Sequence, residues 1–586
     1  MLNPIEYMAD WLDLPYPNFI AFLNHIEADF SENPAILHRV GKQKEFTIWN
    51  FKKYACECKR IARGFIKAGL KKGDRVALWA ENCPEWMAVW MASAISGCIV
   101  VPIDFLIGDD ECRNILKLTE PKVIVFSEKK APFAESLAAN DINIETRVQI
   151  NGNDDFLSFG LDAADQKLPE VSDLSENDPV SIVFTSGTTG LAKGVTLSHK
   201  GIIANVSAAV RMLRPDKKDT FISVLPLHHT YPTTCSFLAP HSCGIAAIIV
   251  ERLVGEVVIN DIRDGHGTFL IAVPLLYDKV MAGINAKYQK TPFPVRFVLD
   301  ILRKKSLAEA KKGNPDWGRK VFRFIRKKAG LDSINIMVAG GGALNPKVAD
   351  FFDSFGFNIV HGYGMSENGP LVSVSTPWHK NNVSVGLPVK YTDIKIVDKD
   401  DDLKILKSGE HGEILVKSPS LMLGYYKNPE ATAEMFNAHG YLKTGDLGYQ
   451  DDLGFVYISG RKKNLIVSAG GKNIYPEEIE SHFNNSRIIS EILVVGRKSS
   501  EGEFIFAIVF PNMVTLAKEY PGQALNAAFI RPLVKKEIGK VNRSLTSYKK
   551  IIDFTLRFEP FEKNAQQKVR RFIYKNYEDP EKTPNT

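Results

Sequence analysis

The chain has 586 residues, of which 45% are hydrophobic and 24% are charged, and its net charge is +6. This length exceeds that of an ordinary single domain, so we expect at least two domains with enough apolar residues for a large core. The basic residues form no long run, which argues against a nucleic-acid-binding protein.

The amino terminus and the cysteines point to a reducing compartment. The first twenty residues lack a positively charged start and carry acidic residues, unlike a signal peptide. No cysteine belongs to a C-x-x-C pair, and all lie in the first half of the chain, at positions 56, 58, 83, 98, 112, 235 and 243. We therefore expect free thiols and a cytoplasmic location.

Short apolar runs alternate with amphipathic segments over most of the chain. Three such runs are Arg75–Trp79, Val123–Phe126 and Val180–Phe184, and each precedes a segment with helical periodicity. This alternation predicts parallel sheets covered by helices. The uncharged stretches 87–103 and 233–250 contain proline and glycine and are near or below the roughly 20 apolar residues of a membrane span, so we predict buried elements there.

The segment from about residue 288 to residue 328 is the most basic part of the chain. It contains Arg303, Lys304, Arg319, Arg323, Arg326 and Lys327. This pattern is typical of a solvated helical face on the large domain. The alternative is that about residues 303–328 contact anionic lipid head groups, as in a peripheral membrane protein, or the phosphates of a cofactor.

Beyond residue 391 the pattern changes to short strands between acidic, glycine-containing turns, which predicts a β-rich subregion at about 391–460. A compact module with one helix and two strands follows Gly460. The predicted class is therefore α/β, with a large amino-terminal domain of stacked, mostly parallel sheets over 1–460. A small, mobile α+β domain is predicted over 461–586.

A loop rich in glycine and hydroxyl side chains follows the predicted strand Val180–Phe184. Glycines let the backbone approach a ligand, and hydroxyl, backbone N–H and ammonium groups all bind phosphate oxygens. No Gly-Lys-Ser/Thr follows at the Walker spacing, which disfavours a P-loop kinase or GTPase. On these residues alone a surface turn stays an alternative. The candidate residues are Thr185, Ser186, Gly187, Thr188, Thr189, Gly190 and Lys193.

This loop resembles the phosphate loop of the adenylate-forming (AMP-binding) superfamily, which includes acyl-CoA synthetases, firefly luciferase and nonribosomal-peptide adenylation domains. Further motifs similar to that superfamily follow in the same order, over about residues 45–574. The bacterial long-chain fatty acyl-CoA synthetases are the most similar group, on the element Pro226–Tyr231, the basic segment and Gly460–Glu480. The resemblance implies ATP, Mg²⁺ and coenzyme A as cofactor and substrates.

Two motifs of the large domain are assigned to the acyl group and the adenine by this resemblance. His229, in PLHHTY, is expected beside the acyl carboxylate. A metal shared with His228 is not expected, because neighbours on a strand face opposite ways. Gly341 and Gly342, in AGGGAL, are expected to pass the adenine and border the acyl tunnel.

Two further motifs are assigned to the nucleotide. In HGYGMSE the resemblance gives adenine stacking to Tyr363 and a Mg²⁺ ligand to Glu367, with Thr185 as a second oxygen donor. In YLKTGDLG it gives the ribose hydroxyls to Asp446, because one carboxylate accepts two hydrogen bonds, and Arg461 accompanies it. The motif HGYGMSE also contributes Gly362, Gly364 and Ser366, where serine replaces the more usual threonine.

The small domain is expected to change partners between two half-reactions. Lys463 matches the hinge position, and Gly470 and Gly471 match a loop that lets pantetheine pass. Lys568 is the candidate catalytic lysine, although Gln566-Gln567 stands where the superfamily has Thr-Gly. Lys563 is the alternative, and a solvated basic tail is another.

The implied function is ATP-dependent activation of a fatty acid to an acyl adenylate, followed by thioester formation with coenzyme A. Two rival functions stay open. One is an adenylate-forming enzyme that transfers to a carrier-protein pantetheine. The other is a binding homologue without catalysis, for which the altered Gln566-Gln567 pair is the one supporting feature.

Overall fold

The computed structural model describes residues 15–41, 43–137, 142, 144–150, 156, 158–185, 192–467, 472–484, 486–499, 502–563, 569–574 and 577. The strands in this part of the chain are β1 (Pro34–His38), β2 (Thr47–Asn50), β3 (Arg75–Trp79), β4 (Ile99–Pro102), β5 (Val123–Ser127), β6 (Thr146–Ile150), β7 (Pro179–Thr185), β8 (Lys193–Ser198), β9 (Thr220–Ser223), β10 (Ala246–Ile249), β11 (Phe269–Ala272), β12 (Ile336–Ala339), β13 (Asn358–Gly364), β14 (Leu371–Val374), β15 (Leu387–Pro388), β16 (Asp393–Val397), β17 (Gly412–Lys417), β18 (Gly424–Tyr425), β19 (Leu442–Gln450), β20 (Val456–Arg461), β21 (Ile466–Val467), β22 (Asn473–Ile474), β23 (Ile489–Ser499), β24 (Gly502–Pro511) and β25 (Asp553–Leu556).

The α-helices in the same residues are α1 (Phe19–Phe30), α2 (Phe51–Lys67), α3 (Pro84–Ile95), α4 (Asp109–Thr119), α5 (Ala131–Ser136), α6 (His199–Leu213), α7 (Thr230–Pro232), α8 (Ala239–Ser242), α9 (Gly255–Asp264), α10 (Pro274–Gln289), α11 (Phe293–Lys311), α12 (Asp316–Val321), α13 (Arg323–Lys328), α14 (Pro346–Ser354), α15 (Pro429–Glu434), α16 (Pro476–Ser481), α17 (Met513–Glu519) and α18 (Ala527–Ser544). A π-helical stretch, Thr233–Leu238, joins α7 to α8.

Two large mixed sheets form the amino-terminal part. One has the order β15-β14-β13-β12-β11-β9-β10-β1-β2, and its strands from β13 to β1 are parallel. The other has the order β18-β8-β7-β4-β3-β5-β6, parallel from β7 to β6. Antiparallel strands close the edges. The predicted α/β class with mostly parallel sheets is confirmed.

One continuous core joins both sheets through buried helices. Helix α3 is apolar on all sides, and nearly every one of its residues is buried, as expected for a helix enclosed between layers. Together with β4 it accounts for the uncharged stretch 87–103, while 233–250 forms the π-helical stretch, α8 and β10. No helix among the described residues is long and apolar enough to cross a membrane.

The basic segment divides into structural and exposed residues. Arg326 is buried and donates to the carbonyls of Ile334 and Gly356, and the Arg303 guanidinium lies 4.4 Å from the ring centre of Phe355. Arg326 therefore ties α13 to the segments that precede β12 and β13, and Arg303 ties α11 to the carboxyl end of α14. Exposed members of the segment include Lys304, Arg323 and Lys327.

The remaining strands form smaller sheets. Strands β16, β17, β19 and β20 make a four-stranded antiparallel sheet, where the sequence predicts the β-rich subregion. Beyond it, β23, β24 and β25 pack with α16 and α18 around a separate core that includes Ile479, Val494 and Ile530. The division at about Arg461 stays a prediction, and this separate core is compatible with it.

Candidate active site

A continuous cleft of about 3880 Å³ lies between the large sheets, the four-stranded sheet and the carboxy-terminal elements. A single small-molecule pocket usually has roughly 300–1,000 Å³, so this cleft has room for more than one substrate. Its lining brings together nearly all described residues that the sequence singled out. They are Thr185, Lys193, His229, Gly341, Gly342, Gly362, Tyr363, Gly364, Ser366, Glu367, Asp446, Arg461 and Lys463.

The predicted phosphate loop lies between β7 and β8 in the chain, and these two strands form an antiparallel hairpin. Thr185 and Lys193 are paired across this hairpin, and the Thr185 hydroxyl donates to the Lys193 carbonyl at 3.4 Å. Both ends of the loop therefore start at the same point of the cleft wall. The predicted phosphate ligands Ser186, Gly187, Thr188, Thr189 and Gly190 lie outside the described residues.

Glu367 belongs to a cluster that the sequence did not predict as a unit. The Tyr425 hydroxyl donates to Glu367 Oε1 at 2.9 Å, and Lys193 Nζ lies 4.9 Å from the Tyr425 ring centre. Burial, followed by the nearby Glu367 carboxylate, raises the pKa of Tyr425, so the phenol stays neutral and keeps donating. No sequence motif pointed to Tyr425, which reaches the site because β18 pairs with β8.

The oxygen donors at this position fit Mg²⁺, the metal ion that the resemblance implies. Glu367 supplies a half-buried carboxylate with one oxygen engaged by Tyr425, and Thr185 supplies a hydroxyl. Hard carboxylate and hydroxyl oxygens, combined with substrate phosphates, are the ligands that Mg²⁺ prefers. Bound there, the ion would neutralise phosphate charge.

Asp446 lies at the centre of a second polar cluster. Its carboxylate accepts from the Tyr363 hydroxyl at 2.6 Å and pairs with Arg461 Nε at 2.7 Å, and Arg461 is opposite it in the β19–β20 register. The Thr444 hydroxyl accepts from the Asp446 amide at 3.0 Å, which adds Thr444 to this cluster. Burial and the Asp446 charge raise the pKa of Tyr363 well above its ordinary value. The predicted adenine and ribose residues thus form one hydrogen-bonded unit.

The predicted glycines have geometric reasons to be glycine. Gly341 has φ +77°, a left-handed conformation that side chains disfavour. A Cβ at Gly364 would lie 2.1 Å from the Pro370 carbonyl oxygen, so the close approach of β13 and β14 needs glycine there. The Gly342 carbonyl lies 3.0 Å from His361 Nε2, which ties the glycine turn to β13.

His228 and His229 depart from the sequence prediction. They are not on a strand but in the turn before α7, and their Nε2 atoms lie 3.1 Å apart, so the two rings do not face opposite ways. His228 is buried, which lowers its pKa well below the ordinary value, and its Nε2 lies 3.5 Å from Asp104 Oδ1. Asp104 was not recognised in the sequence because it follows β4, far away along the chain.

Only some of the predicted site residues in the carboxy-terminal part are among the described residues. Lys463 is exposed in a 3₁₀ turn, Lys462–Asn464, directly after β20. Gly470, Gly471 and Lys568 lie outside the described residues. The neighbours of Lys568 are described: Lys563 forms an antiparallel bridge with Val569.

The alternative lysine, Lys563, also lines the cleft, but its ammonium group is already paired. Lys563 Nζ forms an ion pair with Glu491 at 2.8 Å. Arg571, just after the bridge, pairs with Glu480 and donates to the Val494 carbonyl at 3.1 Å. These contacts fix both flanks of segment 564–568 to the three-stranded sheet and to α16, and they favour Lys568 over Lys563 as the catalytic candidate.

Comparison with known proteins agrees with this arrangement. The family model described as AMP-binding enzyme matches residues 25–426. The chain is 27% identical to the peroxisomal long chain acyl-CoA synthetase 7 of Arabidopsis thaliana, over 95% of this chain and 84% of that protein. It is 27% identical to a long-chain-fatty-acid–CoA ligase of Bacillus subtilis, over 85% and 86%. It is 25% identical to the chloroplastic long-chain-fatty-acid–[acyl-carrier-protein] ligase AEE15 of Arabidopsis thaliana, over 84% and 76%.

Solved structures share the fold. ATP-bound MatB from Rhodopseudomonas palustris has a TM-score of 0.75 at 22% identity, covering 95% of this chain and 99% of that one. The anthranilate CoA ligase AuaEII in complex with anthranoyl-AMP has a TM-score of 0.77 at 20% identity, covering 98% of both chains. The family match spans more than half of the sequence, and the chain therefore belongs to the AMP-binding enzyme family, as an adenylate-forming, acyl-activating ligase.

Proposed function

We propose that this ligase activates a long-chain fatty acid with ATP and transfers the acyl group to coenzyme A. The observation that carries the proposal is the continuity of the cleft. Its polar end holds Glu367 and Asp446, whereas its other end is lined by apolar side chains from α6, the π-helical stretch and the large sheet. These apolar residues include Ala209, Leu213, Phe221, Leu225, Cys235, Ile271 and Val338.

We place the junction of the two ends of the cleft at His229 and Tyr231. Both residues line the cleft, and the Tyr231 hydroxyl donates to the Val338 carbonyl at 3.3 Å beside the glycine turn. A Cβ on Gly340 would lie 2.7 Å from the Tyr231 ring, so the turn packs directly against that ring. A fatty acid with its chain in the apolar end would place its carboxylate near His229, next to the phosphates.

The chemistry requires charge neutralisation more than proton transfer. The carboxylate attacks the α-phosphorus of ATP, the bond to the β-phosphate oxygen breaks, and pyrophosphate leaves with that electron pair. Both reacting partners are anions, so preorganised cations and hydrogen-bond donors lower the barrier. We assign this role to Lys568 and Lys193, while Asp446 and Arg461 hold the ribose.

In the second half-reaction the coenzyme A thiol attacks the acyl carbon of the mixed anhydride, and AMP leaves. We propose that the small domain turns about Lys463 between the two steps, withdrawing Lys568 and bringing in Gly470 and Gly471. The exposed turn at Lys463, between β20 and the separate carboxy-terminal core, supports a hinge there.

A panel of carboxylic acids of increasing chain length tests the substrate class. With ATP, Mg²⁺ and coenzyme A, AMP release should be fastest for long-chain acids. Preference for short or aryl acids would contradict the fatty-acid assignment. Adenylate formation without thioester on free coenzyme A would favour transfer to a carrier protein, as the name of the AEE15 relative describes for that protein. Failure to form any adenylate would favour the binding homologue.

Lys568→Ala tests whether Lys568 acts in adenylate formation and not in thioester formation. We expect it to abolish ATP–pyrophosphate exchange and to spare coenzyme A transfer from preformed adenylate. Lys518→Ala is the control, because Lys518 is an exposed lysine on α17 that does not line the cleft. Undiminished exchange in Lys568→Ala would defeat the assignment.

We also propose that α11 contacts a membrane with anionic head groups, from which the substrate is taken up. Phe293, Phe297 and Ile301 follow one another at four-residue spacing and are 70%, 58% and 54% exposed. The fully buried positions of the same helix are the small residues Ser306 and Ala310. An apolar outer face beside exposed lysines is typical of interfacial helices.

Vesicle sedimentation tests this contact. The affinity of the double variant Phe293→Ser/Phe297→Ser for vesicles containing phosphatidylglycerol should be at least about tenfold lower. Burying one phenylalanine side chain in an apolar phase contributes roughly 1.5–3 kcal/mol. Leu453→Ser, which changes a comparably exposed residue in the turn between β19 and β20, is the control. Equal binding by both variants would contradict the proposal.

A further inference from the structure

Three side chains with metal-binding atoms converge at the wall of the cleft. They are Asp104, which follows β4, and the neighbouring residues His228 and His229. His228 Nε2 lies 3.1 Å from His229 Nε2 and 3.5 Å from Asp104 Oδ1, and all three ligand atoms lie within 4.8 Å of one another. Among the described residues this is the one group of three such side chains that are close enough to share an ion.

The proposed acyl activation does not account for this convergence. It uses only His229, and it needs neither a buried second imidazole nor a carboxylate behind it. Two Nε2 atoms at 3.1 Å cannot both carry a proton, so at least one nitrogen lone pair points into the space between the rings. The carboxylate of Asp104 adds a negative charge at the same point.

We propose that Asp104, His228 and His229 bind a Zn²⁺ ion through one carboxylate oxygen and two imidazole nitrogens. Ligands at about 2.0–2.1 Å from a tetrahedral Zn²⁺ are roughly 3.4 Å apart, and the separations of 3.1 and 3.5 Å match that value. Imidazole ligands favour Zn²⁺ over Mg²⁺, which takes oxygen ligands, so this site differs in kind from the one at Glu367 and Thr185.

The surroundings supply what a zinc site needs beyond its ligands. The Leu106 N–H donates to Asp104 Oδ1 at 2.8 Å, and this outer contact fixes the orientation of the carboxylate. His228 is buried, whereas His229 lines the cleft, so the ion has an entry path from that side. Three protein ligands leave a fourth position of a tetrahedral ion for water.

Zinc at this site has a consequence for catalysis that rests on the proposed function. The ion would bind Nε2 of His229, so this nitrogen and the ring that we place beside the acyl carboxylate would no longer be available to the substrate. We therefore expect Zn²⁺ to inhibit adenylate formation, and chelation to restore it.

Binding is tested on the full-length protein without substrates. Co²⁺ replaces Zn²⁺ as a spectroscopic probe, and four-coordinate Co²⁺ gives visible absorption bands. We expect these bands in the wild type, displacement of Co²⁺ by Zn²⁺, and one tightly held Zn²⁺ per chain by elemental analysis after gel filtration. His228→Gln and the nearly isosteric Asp104→Asn should each weaken Zn²⁺ binding at least about tenfold.

The control is His25→Gln, because His25 and Asp29 form a partly exposed imidazole–carboxylate pair at 3.2 Å that has no third metal-binding side chain among the described residues. It should bind Zn²⁺ as the wild type does. Thermal melting shows whether each variant is folded. If His228→Gln does not fold, Asp104→Asn still tests the site. Wild-type Zn²⁺ affinity in Asp104→Asn, or the absence of Co²⁺ bands in the wild type, would overturn the site.

Inhibition is measured separately, as the ratio of ATP–pyrophosphate exchange with and without Zn²⁺. Zn²⁺ should lower the exchange rate of the wild type at least about tenfold. In His228→Gln the rate should be the same with and without Zn²⁺, whatever its absolute value. Zn²⁺ binding without inhibition would leave the site standing and overturn the role of His229 in the proposed function. Failure of Zn²⁺ to bind would overturn the site and leave the proposed function untouched.

Discussion

Arg571 is expected to affect the first half-reaction, because it flanks the segment that contains Lys568, the proposed catalytic lysine. Its guanidinium pairs with Glu480 on α16 and donates to the Val494 carbonyl on β23 at 3.1 Å. On the other flank, Lys563 pairs with Glu491. Arg571→Met removes the contacts of one flank and keeps the length of the side chain.

The magnitude follows from those contacts. A hydrogen bond to a charged group contributes about 1.5–3 kcal/mol, and we take the lower end because the Arg571 side chain is 21% exposed. About 1.4 kcal/mol corresponds to a factor of ten in an equilibrium constant. If only the anchored arrangement presents Lys568 correctly, ATP–pyrophosphate exchange should fall about tenfold.

The assay compares both half-reactions at slightly alkaline pH, where Glu480 is ionised. Exchange should fall in Arg571→Met, and single-turnover transfer of preformed acyl adenylate to coenzyme A should not. Arg570→Met is the matched control, since Arg570 is adjacent, 42% exposed and 4.0 Å from Glu562. Equal exchange in the two variants, or an equal loss in both half-reactions of Arg571→Met, would refute the reasoning.

Three further outcomes are expected. Asp446→Asn should lower AMP affinity about 10- to 100-fold by calorimetry, because charged hydrogen bonds contribute about 1.5–3 kcal/mol, and unchanged affinity would contradict the ribose assignment. Lys380→Met leaves the buried Asp353 carboxylate without its cation and should destabilise the large domain by about 3–5 kcal/mol in urea unfolding, whereas Lys380→Met/Asp353→Leu should recover most of it. Burial raises the pKa of Glu480 from 4.5 to about 6, so between these values the folded chain holds a proton that the unfolded chain releases. Stability should therefore fall as pH rises through this interval, and Glu480→Gln should flatten the dependence measured by thermal melting.

Much of the architecture was predictable because its signals are local. Val123–Phe126 and Val180–Phe184 are short apolar runs, and each became a strand within a residue at either end. The uncharged stretch 87–103 was short and interrupted, and it became a buried helix and strand. Strand order could not be predicted, because it depends on pairings such as β1 with β10 between distant parts of the chain.

The site was predictable only where its members carry a motif. Asp446 and Arg461 were paired on sequence grounds, and the β19–β20 register places them opposite each other. Tyr425 and Asp104 carry no motif, and they reach the cleft through β18 pairing with β8 and through the turn after β4. The prediction that His228 and His229 face apart assumed a strand, but they lie in a turn where both rings converge.

By itself the sequence indicated the class of fold through its alternating apolar and amphipathic segments, and its ordered motifs carried the resemblance that implied an adenylate-forming reaction. Only the tertiary structure decided which groups share a site. It joined Glu367 to Tyr425 and Lys193, and it engaged Lys563 with Glu491. The physical reason is that hydrogen bonds and ion pairs act over a few ångströms, and separation along the chain does not fix separation in space.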